Sequence, residues 1–528
     1  MKRFKPIVLV ILDGWGHQEE KEGNAILNAN LPTFEKLDSY YPKVFLQASG
    51  LAVGLPWLQP GNSEVGHQVL GTGQIIYQNL PRIFTAIRNG SLFKNKTLLN
   101  VMRQAKLNQT NLHFFGLVSD GGVHSHTDHL IVLLEIAKDQ GLSSDKIFIH
   151  AITDGRDAPP KSAERYFSKV SNLHFGRIAS ISGRYYAMDR NKNWDRTEKA
   201  FTAMVNGKGI LETDPLEAIK KQYQRKITDE FIEPIVLTDD NQQPIGKIQE
   251  NDTVVFFNFR KDRARQITES FVVPNFDKFK SATRPEKIRF VCMSQYKKGL
   301  DTEIILPPQK ITLRISEILS KKGYRQLKMA ETEKYAHVTY FFNGGIEKPF
   351  KGEDQVLIPS KNNPSYAEVP EMSAYEITTE LLKRIDKNIY DFIVVNYANS
   401  DMVGHTGDLK AAIKAVETMG QCLNDLMKTV IKANGCLLIT ADHGNVEQMI
   451  NLKNKEINTQ HSNNPVPCWL VTPENYKKRN PRKMIEGKAQ GLLVDIPPTI
   501  LDLFGIKKPP KMRGVSLLEM LQKENPED

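Results

Sequence analysis

The sequence is poor in cysteine and lacks any long apolar segment, and both features narrow the class of protein. Its 528 residues include four cysteines, none at CxxC or zinc-knuckle spacing, which argues against a disulfide scaffold and favours a reducing compartment. No run of about 18 apolar residues is present, so we expect no membrane-spanning helix. Walker and Rossmann fingerprints are missing too, so no nucleotide is implied. We expect a cytoplasmic protein without membrane association.

The N-terminus carries a short apolar run that superficially suggests a signal peptide. Lys2, Arg3 and Lys5 precede the run Ile7 to Leu12, but this run is too short and stops at Asp13. A continuous apolar run of this length is typical of a buried strand in a parallel sheet. We therefore interpret it as the first β-strand.

The formal net charge is +10, but the basic residues are dispersed along the chain. There is no long Lys/Arg block and no basic stripe interleaved with aromatic residues, as nucleic-acid binding would favour. An anionic small substrate explains a basic surface equally well. We expect a small-molecule substrate and no nucleic acid.

Strand and helix patterns alternate in two groups along the chain. The middle of the chain has a βαβ rhythm of its own, with strands predicted at Leu112–Val118 and Ile147–Ile152 and a helix at Asp128–Lys138. The earlier pattern resumes after it, with predicted strands at Asp391–Tyr397 and Cys436–Thr440 and a helix at Leu409–Lys432. We predict an α/β fold in which a domain of residues 77–310 is inserted into a parallel-sheet domain of residues 1–76 and 311–528.

Ser63 has the setting of a nucleophile. It lies between Gly61 and Gly66 in a turn at the start of a predicted helix, where a hydroxyl would be exposed and rigidly aimed. Asn62 and Ser63 also suit a helix N-cap, which is an ordinary structural role. This segment alone leaves both interpretations open.

Three predicted strands run into aspartates, and histidines accompany them. Ligands bind at the carboxyl ends of strands in open α/β sheets, and carboxylates with imidazoles suit Mn, Zn, Fe or Co rather than Ca. Each histidine alone is more simply a core or surface residue, but the joint pattern favours a centre with two metal ions. The residues are Asp13, Asp401, Asp442, His405, His443 and His461.

Arginines in turn-like positions of the middle domain are candidate anion-binding groups. Their planar forks match phosphate and carboxylate oxygens, although each alone could equally form a surface salt bridge. The candidates are Arg156, Arg184, Arg190, Arg260 and Arg263, with Asp157 and His124 in neighbouring loops. Lys334, before a predicted strand at Val338–Phe342, could steady a phosphoryl oxygen or be an ordinary exposed lysine.

A set of motifs, in this order, resembles the cofactor-independent phosphoglycerate mutases. The motifs are LDGWG (12–16), GNSEVGH (61–67), SDGGVHSH (119–126), TDGRD (153–157), GRYYAMDR (183–190), NFRKDRARQ (258–266), EKYAHVTYFFNGG (333–345), NYANSDMVGHTG (396–407) and ADHGN (441–445). The strand-end ligands alone would fit the wider alkaline phosphatase superfamily, and the middle-domain motifs narrow the resemblance to the mutases. Pro60, the loop 458–460 and the stretch Met484–Leu493 depart from the family pattern without removing a catalytic side chain.

The resemblance implies an alkaline-phosphatase-like domain in two segments with an inserted phosphotransferase domain. It implies interconversion of 3-phosphoglycerate and 2-phosphoglycerate in glycolysis and gluconeogenesis, without 2,3-bisphosphoglycerate and through a phosphoserine at Ser63. Two Mn²⁺ ions are implied, with Mg²⁺, Zn²⁺ or Co²⁺ as alternatives, and we expect a monomer. One ion would be held by Asp401, His405 and His461, and the other by Asp13, Ser63, Asp442 and His443. The substrate would contact His124, Arg156, Asp157, Arg184, Arg190, Arg260, Arg263 and Lys334.

Three other interpretations remain at this point. A phosphatase or phosphopentomutase of the same superfamily would share the strand-end ligands but not the arginine pattern. A basic nucleic-acid-binding protein would show affinity that collapses with salt. A structural metal-binding protein would have no use for an aimed serine.

Overall fold

The computed structural model describes residues 4–280, 284–478 and 488–522. The segment Lys523–Asp528, which the sequence suggests is frayed, and residues 484–487 of the stretch that departs from the family pattern lie outside these ranges. The chain forms two compact units, one of residues 1–78 and 310–528 (the first unit) and one of residues 79–309 (the second unit). Both units are built from parallel-dominated sheets with helices, so the predicted α/β fold class is confirmed.

The strands, in chain order, are β1 (Ile7–Leu12), β2 (Lys43–Gln47), β3 (Leu112–Leu117), β4 (Ile147–Thr153), β5 (Arg177–Gly183), β6 (Ile210–Glu212), β7 (Ile235–Leu237), β8 (Thr253–Phe256), β9 (Arg289–Ser294), β10 (Glu303–Leu306), β11 (Gln326–Glu331), β12 (Glu353–Ile358), β13 (Phe392–Tyr397), β14 (Cys436–Thr440), β15 (Val466–Val471) and β16 (Gly491–Leu492).

The helices are α1 (Ala25–Asn28), α2 (Pro32–Tyr40), α3 (Ser63–Thr72), α4 (Asn79–Arg88), α5 (Lys96–Leu107), α6 (Thr127–Asp139), α7 (Ala163–Ser171), α8 (Arg184–Ala187), α9 (Trp194–Asn206), α10 (Pro215–Gln224), α11 (Arg265–Val272), α12 (Ile315–Lys321), α13 (Thr332–Ala336), α14 (Ala374–Asp386), α15 (Asn399–Gly404), α16 (Leu409–Lys432), α17 (Ile496–Leu503) and α18 (Leu518–Gln522). Among the described residues, no helix is both long enough and apolar enough to cross a membrane.

The sheet of the first unit has the strand order β12-β11-β13-β1-β14-β15-β2-β16. Strand β1 is fully buried between β13 and β14 and runs parallel to both, which explains its continuous apolar sequence. Strand β15 runs antiparallel to both of its neighbours, β14 and β2, whereas the other strand pairs described in this sheet are parallel. Because β1, β13 and β14 are adjacent and parallel, the segments that follow them leave the sheet at one edge.

The predicted strand at Val338–Phe342 is wrong, since this segment continues α13 as a π-helical turn over His337–Phe341. Val338 and Phe342 are buried while Tyr340 between them is exposed, so the apolar face repeats every four residues rather than every two. The turn packs closely on α3, where a Cβ on Gly71 would lie 1.8 Å from the carbonyl oxygen of Phe342. Packing against α3 therefore favours a helical turn in this segment, although its β-branched and aromatic residues favour a strand.

The sheet of the second unit has the order β10-β9-β8-β3-β4-β5-β7-β6. Its central strands are parallel, and β5 and β7 form the antiparallel pair. Strands β3 and β4 are fully buried, with α6 between them in the chain. The loops after β3, β4, β5 and β8 carry most of the candidate residues of this unit.

Candidate functional site

Ser63 begins α3, but Asn62 caps this helix. The Asn62 side chain accepts a hydrogen bond of 3.0 Å from the backbone nitrogen of Val65, which satisfies the first turn. The Ser63 hydroxyl is therefore available for other contacts. It is only 7% exposed, so the expectation of an exposed serine is wrong, because the ends of three strands surround it.

The Ser63 hydroxyl oxygen lies within hydrogen-bond distance of three functional side chains. It is 3.2 Å from Asp13 Oδ1, 3.0 Å from His443 Nε2 and 2.8 Å from Lys334 Nζ. Asp13 follows β1 directly, and Asp442 and His443 follow β14 after one residue. The adjacency of β1 and β14 thus brings Asp13 and His443 to one hydroxyl, and Lys334 reaches it from α13, which follows β11.

Asp401, in α15 just after β13, meets two histidines at one carboxylate oxygen. Its Oδ1 is 3.0 Å from His461 Nε2 and 3.3 Å from His405 Nε2, and the two Nε2 atoms are 3.1 Å apart. The other ring nitrogen of each histidine faces a carbonyl, of Gly61 for His461 and of Thr459 for His405. Such contacts fix the ring orientation and turn Nε2 toward the carboxylate.

Lys334 places its ammonium between the carboxylates of Asp13 and Asp401, at 2.7 and 2.6 Å. Burial alone would lower the pKa of Lys334, but Asp13, Asp401 and Asp442 raise it above its ordinary value. Burial likewise opposes ionisation of Asp401, yet Lys334 holds the pKa of that carboxyl well below its usual range. Lys334, which the sequence assigned to substrate contacts, therefore lies beside the serine.

The donor set fits divalent cations. Asp401 Oδ1, His405 Nε2 and His461 Nε2 are 3.0–3.3 Å apart, the spacing of donors around a cation with bonds of about 2.0–2.2 Å. Asp13 Oδ1, Ser63 Oγ and His443 Nε2 form a second set at 3.0–3.5 Å, and Asp442 Oδ2 is 3.4 Å from His443 Nε2. The Lys334 ammonium between two of these carboxylates shows that the cluster accommodates positive charge. We call the eight residues Asp13, Ser63, Lys334, Asp401, His405, Asp442, His443 and His461 the serine cluster.

The carboxylate and imidazole atoms alone form two neighbouring groups. Asp401 groups with His443 and His461, and Asp13 groups with His67 and Asp442, each group having its ligand atoms within 4.8 Å of one another. His443, a member of the first group, also lies beside the second, since its Nε2 is 3.5 Å from Asp13 and 3.4 Å from Asp442. The predicted division of ligands between two ions remains a prediction.

Sequence reasoning missed three residues that contact the serine cluster. His67 and Asn396 contact Asp442 and Asp13, and Asn445 donates to Asp401 Oδ1 at 3.1 Å. All three lie within the quoted motifs GNSEVGH, NYANSDMVGHTG and ADHGN. Their place in these motifs was the available signal, but their partners depend on the packing of distant segments.

Arg184 joins two aspartates in the second unit. Its Nη1 lies 2.6 Å from both Asp154 Oδ1 and Asp157 Oδ2. Asp154 also accepts from the Ser119 hydroxyl at 2.6 Å and from the backbone nitrogens of Arg156 and Asp157. Asp154 thus fixes the TDGRD loop and Arg184 together. Sequence reasoning missed it although it lies in that motif.

Asp262 joins three further candidates of the second unit. It pairs with Arg190 and Arg260, each at 2.9 Å, and its Oδ1 is 3.9 Å from His124 Nδ1. His124 is also 3.9 Å from Asp157, so it lies between Asp262 and the aspartates that contact Arg184. Burial, reinforced by Arg184, lowers the pKa of His124 to about 4, so this histidine is neutral near pH 7.

Arg263 and Arg156 complete this group. Burial lowers the pKa of Arg263, and the nearby charges of Arg190, Arg184 and Arg156 lower it further, which shows that the guanidinium groups converge. Arg156 is 3.8 Å from Glu230 and more than half exposed. We call His124, Asp154, Arg156, Asp157, Arg184, Arg190, Arg260, Asp262 and Arg263 the arginine cluster. Its excess positive charge suits an anionic group.

Comparison with known proteins gives consistent matches along the chain. The family described as BPG-independent PGAM N-terminus matches residues 83–298. A 2,3-bisphosphoglycerate-independent phosphoglycerate mutase of Methanococcoides burtonii is 48% identical over 523 residues, covering 98% of this chain and 99% of the relative. The protein of that name from Moorella thermoacetica is 49% identical over 518 residues, covering 97% and 98%. A phosphoglycerate mutase of Leishmania mexicana, solved at low cobalt concentration, is 30% identical with a TM-score of 0.52, covering 97% of each chain.

Proposed function

Because the chain belongs to the family of 2,3-bisphosphoglycerate-independent phosphoglycerate mutases, as its motifs predict, we propose that it interconverts 3-phosphoglycerate and 2-phosphoglycerate through a phosphoserine at Ser63. The observation that carries the proposal is the surrounding of the Ser63 hydroxyl by Asp13, His443 and Lys334 at 2.8–3.2 Å. A hydroxyl with only a structural role has no need of a buried ammonium and a carboxylate at this distance.

In the proposed reaction, the Ser63 oxygen attacks phosphorus, the bond from phosphorus to the glycerate 3-oxygen breaks, and the proton lost by the Ser63 hydroxyl is balanced by protonation of that 3-oxygen. The Lys334 ammonium donates to Ser63 Oγ at 2.8 Å, so it stabilises negative charge on this oxygen and on the phosphoryl group beside it. The 2-hydroxyl of the retained glycerate then attacks the phosphoserine, giving 2-phosphoglycerate and free Ser63. The phosphoryl group is conserved throughout, and no bisphosphoglycerate enters.

Two divalent cations belong to this proposal, and the donor spacing supports them. Asp401, His405 and His461 would hold one, and Asp13, Ser63, Asp442 and His443 the other. When bound, the ions supply charge that lowers the pKa of a hydroxyl and neutralises phosphoryl oxygens. We propose Mn²⁺ as the metal, with Mg²⁺, Zn²⁺ or Co²⁺ as alternatives; the Leishmania mexicana relative was solved with cobalt.

The arginine cluster is proposed to bind the glycerate part of the substrate. Guanidinium forks of Arg260, Arg263 and their neighbours match its carboxylate. Asp157 is proposed as the base that accepts the proton of the 2-hydroxyl, and neutral His124 beside it as a hydrogen-bond partner of the glycerate oxygens. Holding glycerate between the two half-reactions distinguishes a mutase from a phosphatase.

The pathway, the cellular location and the oligomeric state belong to the same proposal. We propose that the protein acts in glycolysis and gluconeogenesis, in the cytoplasm, and as a monomer. Sedimentation or size-exclusion with light scattering would test the last point, since a dimer would elute at twice the mass of the 59.9 kDa chain.

The test is incubation with 3-phosphoglycerate and Mn²⁺ without 2,3-bisphosphoglycerate, followed by ³¹P NMR. We expect 2-phosphoglycerate from the wild type and none above background from Ser63→Ala. The matched control is Ser316→Ala, which removes another buried serine hydroxyl of the first unit, one with no hydrogen-bond partner among the described residues. Release of inorganic phosphate without 2-phosphoglycerate would contradict the mutase proposal and indicate a phosphatase.

A further inference from the structure

We propose that His67 and Asn396 are positioning residues that fix the carboxylates of Asp13 and Asp442 for metal binding. Neither residue is needed as a ligand in the two proposed metal sites, and both are fully buried. The inference rests on the proposed function only in treating Asp13 and Asp442 as metal ligands.

Asn396 connects Asp13 to His67 through one nitrogen. Its Nδ2 lies 2.7 Å from Asp13 Oδ2 and 3.0 Å from His67 Nε2. As a carboxylate, Asp13 only accepts hydrogen bonds, so the amide must turn its NH₂ group toward it. The same NH₂ group then faces His67 Nε2, which therefore accepts and carries no proton.

The proton of the His67 ring accordingly lies on Nδ1. This atom is 2.9 Å from the carbonyl oxygen of Ser63 and 3.2 Å from Asp442 Oδ2. The Nδ1 proton is donated to the Ser63 carbonyl oxygen, which fixes the ring, and the fixed ring holds Nδ1 beside Oδ2 of Asp442. Asn396 thus donates to both Asp13 and His67, and His67 donates to the Ser63 carbonyl, so that one chain of contacts runs from Asp13 through Asn396 and His67 to Asp442.

His67 lies close enough to Asp13 and Asp442 to form a potential ligand group with them, but both of its ring nitrogens are already engaged. Nδ1 carries the proton and Nε2 accepts from Asn396, so neither offers a free lone pair to a cation. His443, by contrast, directs Nε2 at Ser63 and Asp13. His67 therefore affects metal binding through the carboxylates of Asp13 and Asp442.

The chain also connects the nucleophile helix to the metal-binding carboxylates. His67 lies one turn after Ser63 on α3, and a Cβ on neighbouring Gly66 would lie 2.7 Å from the carbonyl oxygen of Asp442. The ring of His337 packs on the ring of His67 with centroids 5.5 Å apart. Movement of α3 would therefore disturb Ser63 and Asp442 together, which is the physical reason for a positioning role.

The test is calorimetric titration of the chelator-treated full chain with Mn²⁺, without substrate. Residues that orient metal ligands typically contribute about 10–100-fold in metal affinity, and we expect losses in this range for His67→Leu and for Asn396→Leu. His67→Asn, which keeps a donor near the Nδ1 position, should lose less than His67→Leu. Because both residues act in one chain, the double variant should lose less than the product of the single losses.

Val69→Ala is the matched control, since it removes buried apolar atoms from the same helix without touching the chain of contacts. It should bind Mn²⁺ like the wild type. Circular dichroism and thermal melting identify variants that do not fold; His67→Ala and Asn396→Ala then replace them under the same criteria.

Two outcomes would overturn the inference. Folded His67 and Asn396 variants with Mn²⁺ affinity within twofold of the wild type would show that His67 and Asn396 do not position the metal-binding carboxylates. Loss of one bound ion per chain in the His67 variant, with normal affinity for the other, would make His67 a ligand. Failure of the wild type to produce 2-phosphoglycerate would contradict the proposed function and would leave these binding criteria unchanged.

Discussion

Replacing Lys334 by methionine tests the electrostatic design of the serine cluster. Methionine keeps an unbranched apolar stem but removes the ammonium that lies 2.7 Å from Asp13 and 2.6 Å from Asp401. Both carboxylates are buried. The variant therefore leaves two buried anionic groups without their cationic partner.

The distances set the magnitude of the effect. At an effective dielectric constant of about 20, each ammonium–carboxylate pair at this separation has a gross Coulomb energy of about 6 kcal/mol. Most of this offsets the desolvation of the three charges, and removing one partner from a buried pair costs about 3–5 kcal/mol in measured cases. We expect the unfolding free energy of the metal-free first unit to fall by about this amount.

Urea denaturation in the presence of a chelator, followed by tryptophan fluorescence, measures this loss. Of the four tryptophans, Trp15, Trp57 and Trp469 belong to the first unit, so the signal reports mainly on the unit that contains Lys334. The control is Lys321→Met, which breaks an exposed pair with Glu317 on α12 and should cost less than about 1 kcal/mol. Mn²⁺ should restore more stability to the Lys334 variant than to the control, because a cation replaces the missing charge.

The reasoning would be refuted if Lys334→Met cost no more than the control in metal-free protein. Such a result would mean that Asp13 and Asp401 do not depend on the ammonium for charge compensation. The assignment of Lys334 to the stabilisation of charge at Ser63 would then lose its structural basis.

Three further predictions follow from individual contacts. Burial raises the pKa of Glu331 to about 7, so its carboxyl contributes stability at low pH that is lost as the pH rises through that value. Glu331→Gln should therefore raise the unfolding free energy near pH 8 by up to about 3 kcal/mol and change it little near pH 4. Equal shifts of the urea midpoint at both pH values would contradict this. Asp154→Asn weakens the contacts of residue 154 with Arg184 and with the backbone of the TDGRD loop, so kcat/KM for 3-phosphoglycerate should fall about 10–100-fold. Steady-state kinetics equal to those of the wild type would show that Asp154 is dispensable. The contact with Asp401 raises the pKa of His405, so protons compete with metal for the His405 ring. The affinity for Mn²⁺ should therefore fall about tenfold between pH 8 and pH 6. A binding affinity that does not change over this range would rule out histidine ligation.

Local apolar patterns predicted the elements whose burial is uniform. The continuous run of β1 and the helical repeat of α16 appear in the structure with the predicted bounds Ile7–Leu12 and Leu409–Lys432. The aspartates after β1, β13 and β14 were identifiable because strand ends are positions that packing alone does not require to be acidic. Their convergence in the serine cluster depends on the sheet order, which places these three strands side by side.

Features that depend on partners distant in the chain were not predictable from the sequence. Val338 and Phe342 belong to a helical turn because α3 packs against them, and their β-branched and aromatic surroundings indicated a strand instead. His67 and Asp154 were visible in their motifs, but their roles follow from contacts with Asp442 and Arg184 across many residues. The burial of Ser63 likewise reflects the convergence of separate strand ends rather than its own turn.

The most direct measurement of the central claim is the site of phosphorylation during turnover. The protein, mixed with 3-phosphoglycerate and Mn²⁺ and quenched in acid within milliseconds, would be digested and analysed by mass spectrometry. We predict phosphate on the peptide containing Gly61–His67, at Ser63 and at no other residue of that peptide. Formation of 2-phosphoglycerate without phosphate on Ser63 at any quench time would contradict the account.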